Sequence, residues 1–331
     1  MKRYIAAVCL ALAAAAAAGC GGNSPAGEET AGRLQIENLS IDNYFLKGTA
    51  VQTFAEIPKR VIVVGENETE TLLALGAEDS IALAVAQNSR AYAMRPENWE
   101  KFQRLNKVKS MYLNMEYIGS QKPDLIVAQQ CIFIKNRLKN TQYWNDRGIR
   151  TMVPINTNSP SRHVYSETVD REMQFIGELG QIFHKENEAR RITDGVYRKI
   201  DEVNEKTKDL PKPKVMIVEF LSTMVSYDRS RLVGDMVSRI GGKVAETPAV
   251  ITYEHIVKEN PDVLFVVCSH QDYGVCIDHI LENPALQELP CVKNKRVYSV
   301  PLRFTYSALC RTEDGLQFLA ERMYPDVITA E

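Results

Sequence analysis

The sequence predicts an α/β protein in which two lobes, each built on a mostly parallel sheet, are joined by a single long α-helix. Three observations indicate this fold class. Short β-branched runs alternate with helical segments, one helix–turn–strand unit occurs twice, and a long amphipathic stretch lies between the two copies. Strands that alternate with helices pair in parallel, because each helix carries the chain back to the edge where the next strand begins.

The long helix is expected from Lys185 to about Asp209, after a shorter helix from Glu167 to about Gln181. At 1.5 Å per residue it would be roughly 35 Å long, about the width of a small domain. Its apolar residues recur at steps of three and four and form one stripe. These residues are Ala189, Ile192, Val196, Ile200 and Val203. The stretch is therefore a strut between two lobes or, alternatively, an ordinary amphipathic surface helix.

The first lobe, residues 58–184, opens with a continuous β-branched run, as expected for a strand that is covered on both faces. Its strands are predicted at residues 61–64, 81–85, 125–128 and 150–153. Its helices are predicted at residues 71–75, 99–108, 115–120 and 134–147. Asn67 and Glu70 precede the first helix with the spacing of a capping box, in which these two side chains satisfy the first backbone N–H groups.

The second lobe, residues 211–331, follows the connecting helix of residues 185–210 and repeats the same alternation. Its strands are predicted at residues 214–218, 263–267 and 297–300. Its helices are predicted at residues 232–240, 253–258, 276–282 and 312–323. Ahead of the first lobe, residues 34–54 alternate apolar with polar side chains, which predicts a hairpin or edge strands.

The N-terminus has the pattern of a targeting segment. Lys2 and Arg3 are followed by an apolar stretch that is too short for a comfortable membrane span. Ala17-Ala18-Gly19-Cys20 resembles a bacterial lipobox, although Ala17 stands where leucine is usual. Residues 1–19 are then a signal peptide, and residues 20–57 hold the lipidated Cys20, a linker and an extension. We expect an exported, membrane-anchored lipoprotein in the periplasm or at the cell surface; a plain secretory signal is the alternative.

Seven cysteines are present, of which Cys9 would leave with the signal peptide and Cys20 would carry the lipid. The five that remain show no metal-binding spacing, so no intrinsic metal centre is expected. Disulfides between Cys268 and Cys276 or between Cys291 and Cys310 are both compatible with an exported protein, as are buried thiols.

The net charge is −2 at pH 7 and there is no long basic run, which excludes a nucleic-acid partner. The phosphate-binding loop GxxxxGK(S/T) and the motifs GxGxxG, HExxH and GxSxG are also absent from the sequence. We therefore expect a monomeric binding protein with no catalytic residues and no intrinsic cofactor.

The internal repeat is the most informative pattern. Glu116-Tyr117-Ile118 is followed after four residues by Pro123-Asp124 and a strand, and Glu254-His255-Ile256 is followed in the same way by Pro261-Asp262. The two copies predict two lobes of one architecture. Each glutamate lies at a helix start, where the helix dipole favours a carboxylate. The pair is either structural, as helix caps, or a pair of docking anions for a basic partner with two-fold symmetry.

Over about Pro58 to Pro325 the sequence resembles the periplasmic binding proteins of ABC importers for iron–siderophore complexes, haem and vitamin B12. The resemblance is carried by Pro58-Lys59-Arg60-Val61, Lys122-Pro123-Asp124-Leu125, Gly241-Gly242, Asn260-Pro261-Asp262-Val263 and Asn283-Pro284-Ala285-Leu286. It implies two Rossmann-like lobes and an ABC permease dimer, with its ATPase, as partner. By motif position, Glu116 and Glu254 correspond to the family's glutamates that meet permease arginines, and a lipidated Cys20 fits a tethered carrier.

The ligand is expected beyond the carboxyl ends of the parallel strands, where open sheets bind their ligands. Arginines there would clamp anions and aromatic rings would pack on a macrocycle or catechol, which suits a metal chelate such as a ferric siderophore or haem. The candidate residues are Glu66, Asn67, Gln87, Arg90, Met94, Arg95, Gln129, Tyr227, Arg229, Arg231, His270, Arg303, Tyr306 and Arg311. Alternatives are a cobamide ligand, a two-lobed chelatase-like enzyme, or a surface lipoprotein that serves a receptor. A single connecting helix predicts a modest hinge.

Overall fold

The computed structural model describes residues 33–86, 94–109, 113, 115–156, 166–268 and 273–329. Its first elements are β1 (Leu34–Asp42) and β2 (Phe45–Phe54), which pair antiparallel in a two-stranded sheet and confirm the predicted hairpin. The Asn38 side chain accepts a hydrogen bond of 2.9 Å from the backbone N–H of Val153. This contact ties the hairpin to the end of the first lobe.

The first lobe is built on a five-stranded parallel sheet in the order β5-β4-β3-β6-β7. The strands are β3 (Val61–Val64), β4 (Ile81–Val85), β5 (Lys107–Val108), β6 (Leu125–Ala128) and β7 (Arg150–Met152). The four residues of β3 are all buried, because this central strand is covered on both faces. The strands predicted from the continuous apolar runs at residues 61–64, 81–85 and 125–128 are thus confirmed as β3, β4 and β6.

The helices of the first lobe are α1 (Glu66–Ala74), α2 (Pro96–Arg104), α3 (Met115–Ser120) and α4 (Thr141–Asn145). Two of the predicted helices run several residues beyond the observed ends. The helix predicted to reach residue 108 ends at Arg104, and the next residues pair with β4 as β5. The helix predicted over 134–147 is only α4, because Lys139 has a positive φ of 57° and Asn140 caps a new start with its side chain.

Two consecutive helices, α5 (Val169–Ile182) and α6 (Glu186–Thr207), lie between the two sheets in chain order. The 22 residues of α6 correspond to about 33 Å. All five residues of the predicted apolar stripe are buried, and α6 packs against α5 and the last helix of the chain. A Cβ at Gly180 would lie 2.6 Å from the Cβ of Ala189, so glycine is needed where α5 and α6 meet.

The second lobe contains a parallel sheet in the order β10-β8-β11-β12, with β9 antiparallel on β8. The strands are β8 (Lys214–Phe220), β9 (Met224–Ser226), β10 (Lys243–Val244), β11 (Val263–Cys268) and β12 (Val297–Pro301). The helices are α7 (Leu232–Arg239), α8 (Tyr253–Glu259), α9 (Tyr273–Leu281), α10 (Pro290–Lys293) and α11 (Thr312–Met323). The short strands β9 and β10 and the short helix α10 were not predicted.

The internal repeat has a structural basis at the amino ends of the strands. The Asp124 carboxylate accepts hydrogen bonds of 2.7 and 3.0 Å from the backbone N–H groups of Lys59 and Arg60, just before β3. Asp262 accepts one of 2.7 Å from the N–H of Lys214 at the start of β8. The Pro-Asp turn therefore fastens the start of the first strand of each lobe to the start of its neighbour in the sheet, β6 in the first lobe and β11 in the second.

Residues 34–331 form one compact unit, so the division into residues 58–184, 185–210 and 211–331 stays a prediction. Of the two disulfides considered, the structure contains the one between Cys268 and Cys276, while Cys291 and Cys310 are buried thiols. Within the described ranges, the structure has no helix with the length and apolar character of a membrane span.

Candidate functional site

The carboxyl ends of the two sheets meet at a small cavity of about 110 Å³. Glu66 and Asn67 enter it from the start of α1, and Gln129 enters it from the end of β6. The second lobe contributes the residues that directly follow β12, which are Leu302, Arg303 and Tyr306. Five of these six lining residues were among the predicted ligand contacts; Leu302 was not.

The first turn of α1 departs from the prediction. Gly65, with φ of 119°, is the N-cap, and no side chain caps the helix. Asn67 instead donates hydrogen bonds of 2.9 Å to the carbonyls of Arg303 and Ser307 in the second lobe. The positive φ of glycine lets the helix start directly after β3, so the predicted capping residues lie inside it and face the other lobe.

The segment from Arg303 to Arg311, called the junction segment below, receives most of these contacts from the first lobe. Ser307 and Leu309 have positive φ values of 46° and 50°, which are strained for residues other than glycine. The Thr71 hydroxyl accepts from the N–H of Cys310 at 3.3 Å, and Glu70 lies 3.1 Å from the Arg311 guanidinium. These contacts hold the strained backbone and join the two lobes.

Glu68 is fully buried beside the cavity. Its Oε1 accepts from the Gln129 amide at 2.9 Å and from the Ser307 hydroxyl at 3.4 Å, while Oε2 has no hydrogen-bond partner among the described residues. Burial raises the pKa of Glu68 to about 7. A Cβ at Gly65 would lie 2.0 Å from Oε2, so this glycine is required by space as well as by φ.

Glu172 on α5 is a second buried carboxyl group that the sequence interpretation missed. It is 1% exposed, and the backbone N–H of Leu309 in the junction segment donates to its Oε2. Burial raises the pKa of Glu172 to about 8. The burial of Glu172 could have been predicted from the sequence, because this residue lies in the apolar stripe that Val169, Met173 and Ile176 form at helical spacing.

Three predicted ligand arginines lie in ion pairs instead of lining the cavity. Arg95 contacts Asp314 at 2.9 Å, and Arg311 contacts the same carboxylate at 2.7 Å. Arg231 contacts Glu167 at 2.8 Å. These carboxylates neutralise three of the six arginines that were expected to bind the ligand.

The other predicted residues are distributed around the cleft. Arg229 is exposed, Met94 is buried in the core of the first lobe, and the Tyr227 hydroxyl donates to Glu219. Burial raises the pKa of Tyr306 well above its usual value, so this phenol stays protonated. The predicted residues Gln87, Arg90, His270 and Cys20 lie outside the described residues. The described part of the chain contains no cluster of three or more His, Cys, Asp or Glu residues that would hold a metal ion.

The two repeated glutamates are exposed, in the first turns of α3 and α8. Each helix is anchored by a fully buried isoleucine, Ile118 or Ile256. Crossover helices run antiparallel to the strands of a parallel sheet, so both first turns lie toward the carboxyl edge, where the cavity is. Thr252 donates its hydroxyl proton to Glu254 and lowers the pKa of that carboxyl group.

A family model described as "Periplasmic binding protein" matches residues 61–303. The chain belongs to this family. Among curated members, it is 24% identical to the uncharacterized ABC transporter substrate-binding lipoprotein YvrC of Bacillus subtilis, over 96% of each chain. It is 23% identical to the ferric-anguibactin-binding protein FatB of Vibrio anguillarum, over 73% of this chain and 74% of FatB.

Solved structures of the family share the two-lobed fold. A periplasmic binding protein from Veillonella parvula superposes with a TM-score of 0.79 at 26% identity, over 89% of this chain and 93% of that one. The siderophore-binding protein BauB, solved with two acinetobactin molecules and ferric iron, superposes with a TM-score of 0.62 at 22% identity, over 88% and 98%. The predicted α/β architecture of two lobes with mostly parallel sheets is thereby confirmed.

Proposed function

We propose that this chain is the exported, lipid-anchored substrate-binding protein of an ABC importer, and that it carries a ferric chelate between its two lobes. The observation that carries the proposal is the cavity at the carboxyl ends of both sheets, to which each lobe contributes residues. Family membership supports it, as does similarity to the ferric-anguibactin-binding protein FatB and to the ferric enterobactin-binding periplasmic protein FepB of Escherichia coli. Cys20 would carry the lipid.

The chemistry of the lining residues favours a chelate with anionic oxygens and an organic periphery. The guanidinium of Arg303 is a planar donor for carboxylate or catecholate oxygens, and the Tyr306 ring offers a flat apolar face. A cavity of about 110 Å³ holds only a few water molecules, so it would receive one edge of such a ligand as the floor of a larger site.

In the proposed transport cycle, Glu116 and Glu254 bind arginines on the two halves of the permease. Their equivalent places on the two lobes match a partner with two-fold symmetry. The contacts between α1, α5 and the junction segment, together with α6, would restrict the lobes to a small hinge motion. Delivery would then depend on the permease parting the lobes.

The test is a titration of the purified protein, by tryptophan fluorescence and calorimetry, with ferric citrate, a ferric trihydroxamate, a ferric tricatecholate, haemin and cyanocobalamin. We expect one ferric chelate to bind at one iron per chain, with submicromolar affinity. Arg303→Ala should weaken that affinity by about tenfold, the loss of one charge-assisted contact. Arg104→Ala, an exposed arginine at the end of α2, is the matched control and should leave it unchanged.

Tight binding of haemin or cyanocobalamin with no response to the ferric chelates would overturn the ligand class. Equal effects of Arg303→Ala and Arg104→Ala would show that the cavity is not part of the site. Turnover of any of these compounds by the purified protein would favour the chelatase-like alternative.

A further inference from the structure

The helix α8, which presents Glu254, begins with an unusual capping box. Thr252 is the N-cap, and its side-chain oxygen accepts the backbone N–H of His255. The third helical position holds His255, where glutamate or glutamine is usual, and its Nδ1 accepts the backbone N–H of Thr252 at 3.1 Å. The two reciprocal hydrogen bonds fix the start of the helix.

The protonation of the His255 imidazole determines which acceptor the Thr252 hydroxyl donates its hydrogen bond to. The Nδ1 lone pair already accepts a backbone N–H, so the neutral ring carries its own proton on Nε2. Thr252 Oγ1 lies 3.1 Å from this occupied Nδ1, and its other polar neighbour is Glu254 Oε2. The hydroxyl therefore donates to the Glu254 carboxylate.

We propose that Thr252 and His255 are positioning residues, which hold the Glu254 carboxylate in one orientation for a guanidinium of the permease. This inference rests on the proposed docking role of Glu254. An exposed glutamate samples several rotamers and loses that freedom when it is bound, which weakens association. A hydrogen bond that already holds Glu254 in the free protein reduces the conformational entropy lost on binding. The orientation of the carboxylate also matters, because an arginine that binds both of its oxygens requires a defined geometry.

The chain on the N-terminal side of Thr252 is also held in place. Ile251 donates its backbone N–H to the carbonyl of Met224 at 3.0 Å, and Val250 forms a β-bridge with Val225. On the other side, the fully buried Ile256 fastens α8 to the core of the second lobe. The exposed Glu254 therefore lies on a backbone that is fixed on both sides. The hydrogen bond from the Thr252 hydroxyl lowers the pKa of Glu254 and so favours its ionised form.

The experiment compares variants of the full lipoprotein for binding to its permease–ATPase complex in nanodiscs. Thr252→Val, which removes the hydroxyl at similar size, should weaken binding by about three- to tenfold, the effect of one immobilised side chain. Thr252→Ser restores the hydroxyl and should bind normally. His255→Gln keeps an acceptor for the Thr252 N–H, but its amide oxygen has a second lone pair that can take the hydroxyl proton. It should therefore weaken permease binding, by less than Thr252→Val does. In the isolated protein, NMR should show a higher Glu254 pKa in Thr252→Val than in Thr252→Ser.

The same measurements in a Glu254→Gln background separate the inference from the proposed function. There, Thr252→Val should have no further effect on permease binding. A full effect in that background would show that Thr252 acts only by capping α8, which overturns the positioning role. If Glu254→Gln alone leaves permease binding unchanged, the docking role itself fails. Thermal unfolding of each variant shows whether the fold is retained.

Discussion

Carboxylates at the junction between the lobes can be compared with Glu116 and Glu254 in the first turns of α3 and α8, which are the proposed docking turns. At the junction, Glu68 and Glu172 are buried, and burial raises their pKa values to about 7 and 8. On the second docking turn, Glu254 is exposed, and the Thr252 hydroxyl lowers its pKa. Burial therefore favours the neutral form of Glu68 and Glu172, whereas the hydrogen bond from Thr252 favours the ionised form of Glu254. This contrast distinguishes the buried carboxyl groups at the junction from the exposed carboxylates that we propose for docking.

The largest expected effect follows from breaking a buried ion pair at the junction. Arg311 is 7% exposed and contacts both Glu70 and Asp314. Arg311→Ala would leave Glu70 buried without its charge partner, which should lower the free energy of unfolding by about 3–5 kcal/mol. Urea unfolding of the wild type and the variant measures this difference in the free energy of unfolding. The control is Arg322→Ala, a half-buried arginine stacked on Phe318, which should cost less. Equal losses for the two variants would contradict a structural role specific to the junction.

A pH dependence of stability follows from the two raised pKa values. The folded protein binds protons on Glu68 and Glu172 that the unfolded chain has released above about pH 4.5, so stability falls as the pH rises. Between pH 5 and pH 8 the free energy of unfolding should drop by several kcal/mol, because both carboxyl groups lose their protons in the folded protein over that range. Urea unfolding across that range checks this.

Two variants and one control sharpen this pH prediction. Glu172→Gln should flatten the slope up to about pH 8, and Glu68→Gln should flatten it up to about pH 7. Glu254→Gln, at an exposed carboxylate, should leave the slope as it is. A stability that rises from pH 5 to pH 8 in the wild type would mean that the junction carboxyl groups are ionised in the folded state.

A smaller loss of unfolding free energy is expected from a substitution at Gly65, which leaves space for the Glu68 side chain. Gly65→Ala would force a residue with a Cβ to adopt φ of 119° and would displace Oε2 of Glu68, at a cost of about 2–3 kcal/mol. Gly48→Ala is the matched control, because Gly48 also has a positive φ, of 140°, but no atom lies within 4 Å of its would-be Cβ. Similar unfolding free energies for both variants would show that backbone strain alone matters, and not the space beside Glu68.

Most of the fold could be predicted from local pattern. The apolar runs at β3 and β8 predict strands that are buried on both faces, and the stripe on α6 predicts one buried face; the structure confirms both. The two-residue strands β5 and β10 could not be recognised, because they are too short to show a period. The helix predicted over 134–147 failed on one left-handed residue, Lys139, which periodicity does not report.

The candidate site could be predicted only in part. The end of each strand is visible in the sequence, and Glu66, Asn67, Gln129, Arg303 and Tyr306 line one cavity, although their contact with a ligand stays a prediction. The long-range partners of the arginines were not visible, because Asp314 reaches Arg95 and Glu70 reaches Arg311 only after the two lobes pack together; only the pair of Arg311 with Asp314, three residues later, is local. Pairing between elements distant in sequence decides which charges a cleft offers to a ligand.

The most direct test of the comparison is transport by the double variant Glu116→Gln/Glu254→Gln, measured with the wild type in proteoliposomes that contain the permease and its ATPase. Neutralising two exposed carboxylates should change the free energy of unfolding by less than about 0.5 kcal/mol. Affinity for the ferric chelate that the wild type binds should stay the same, and uptake of that chelate should fall to background. Uptake at the wild-type rate, with unchanged chelate affinity, would contradict the docking role of the two glutamates.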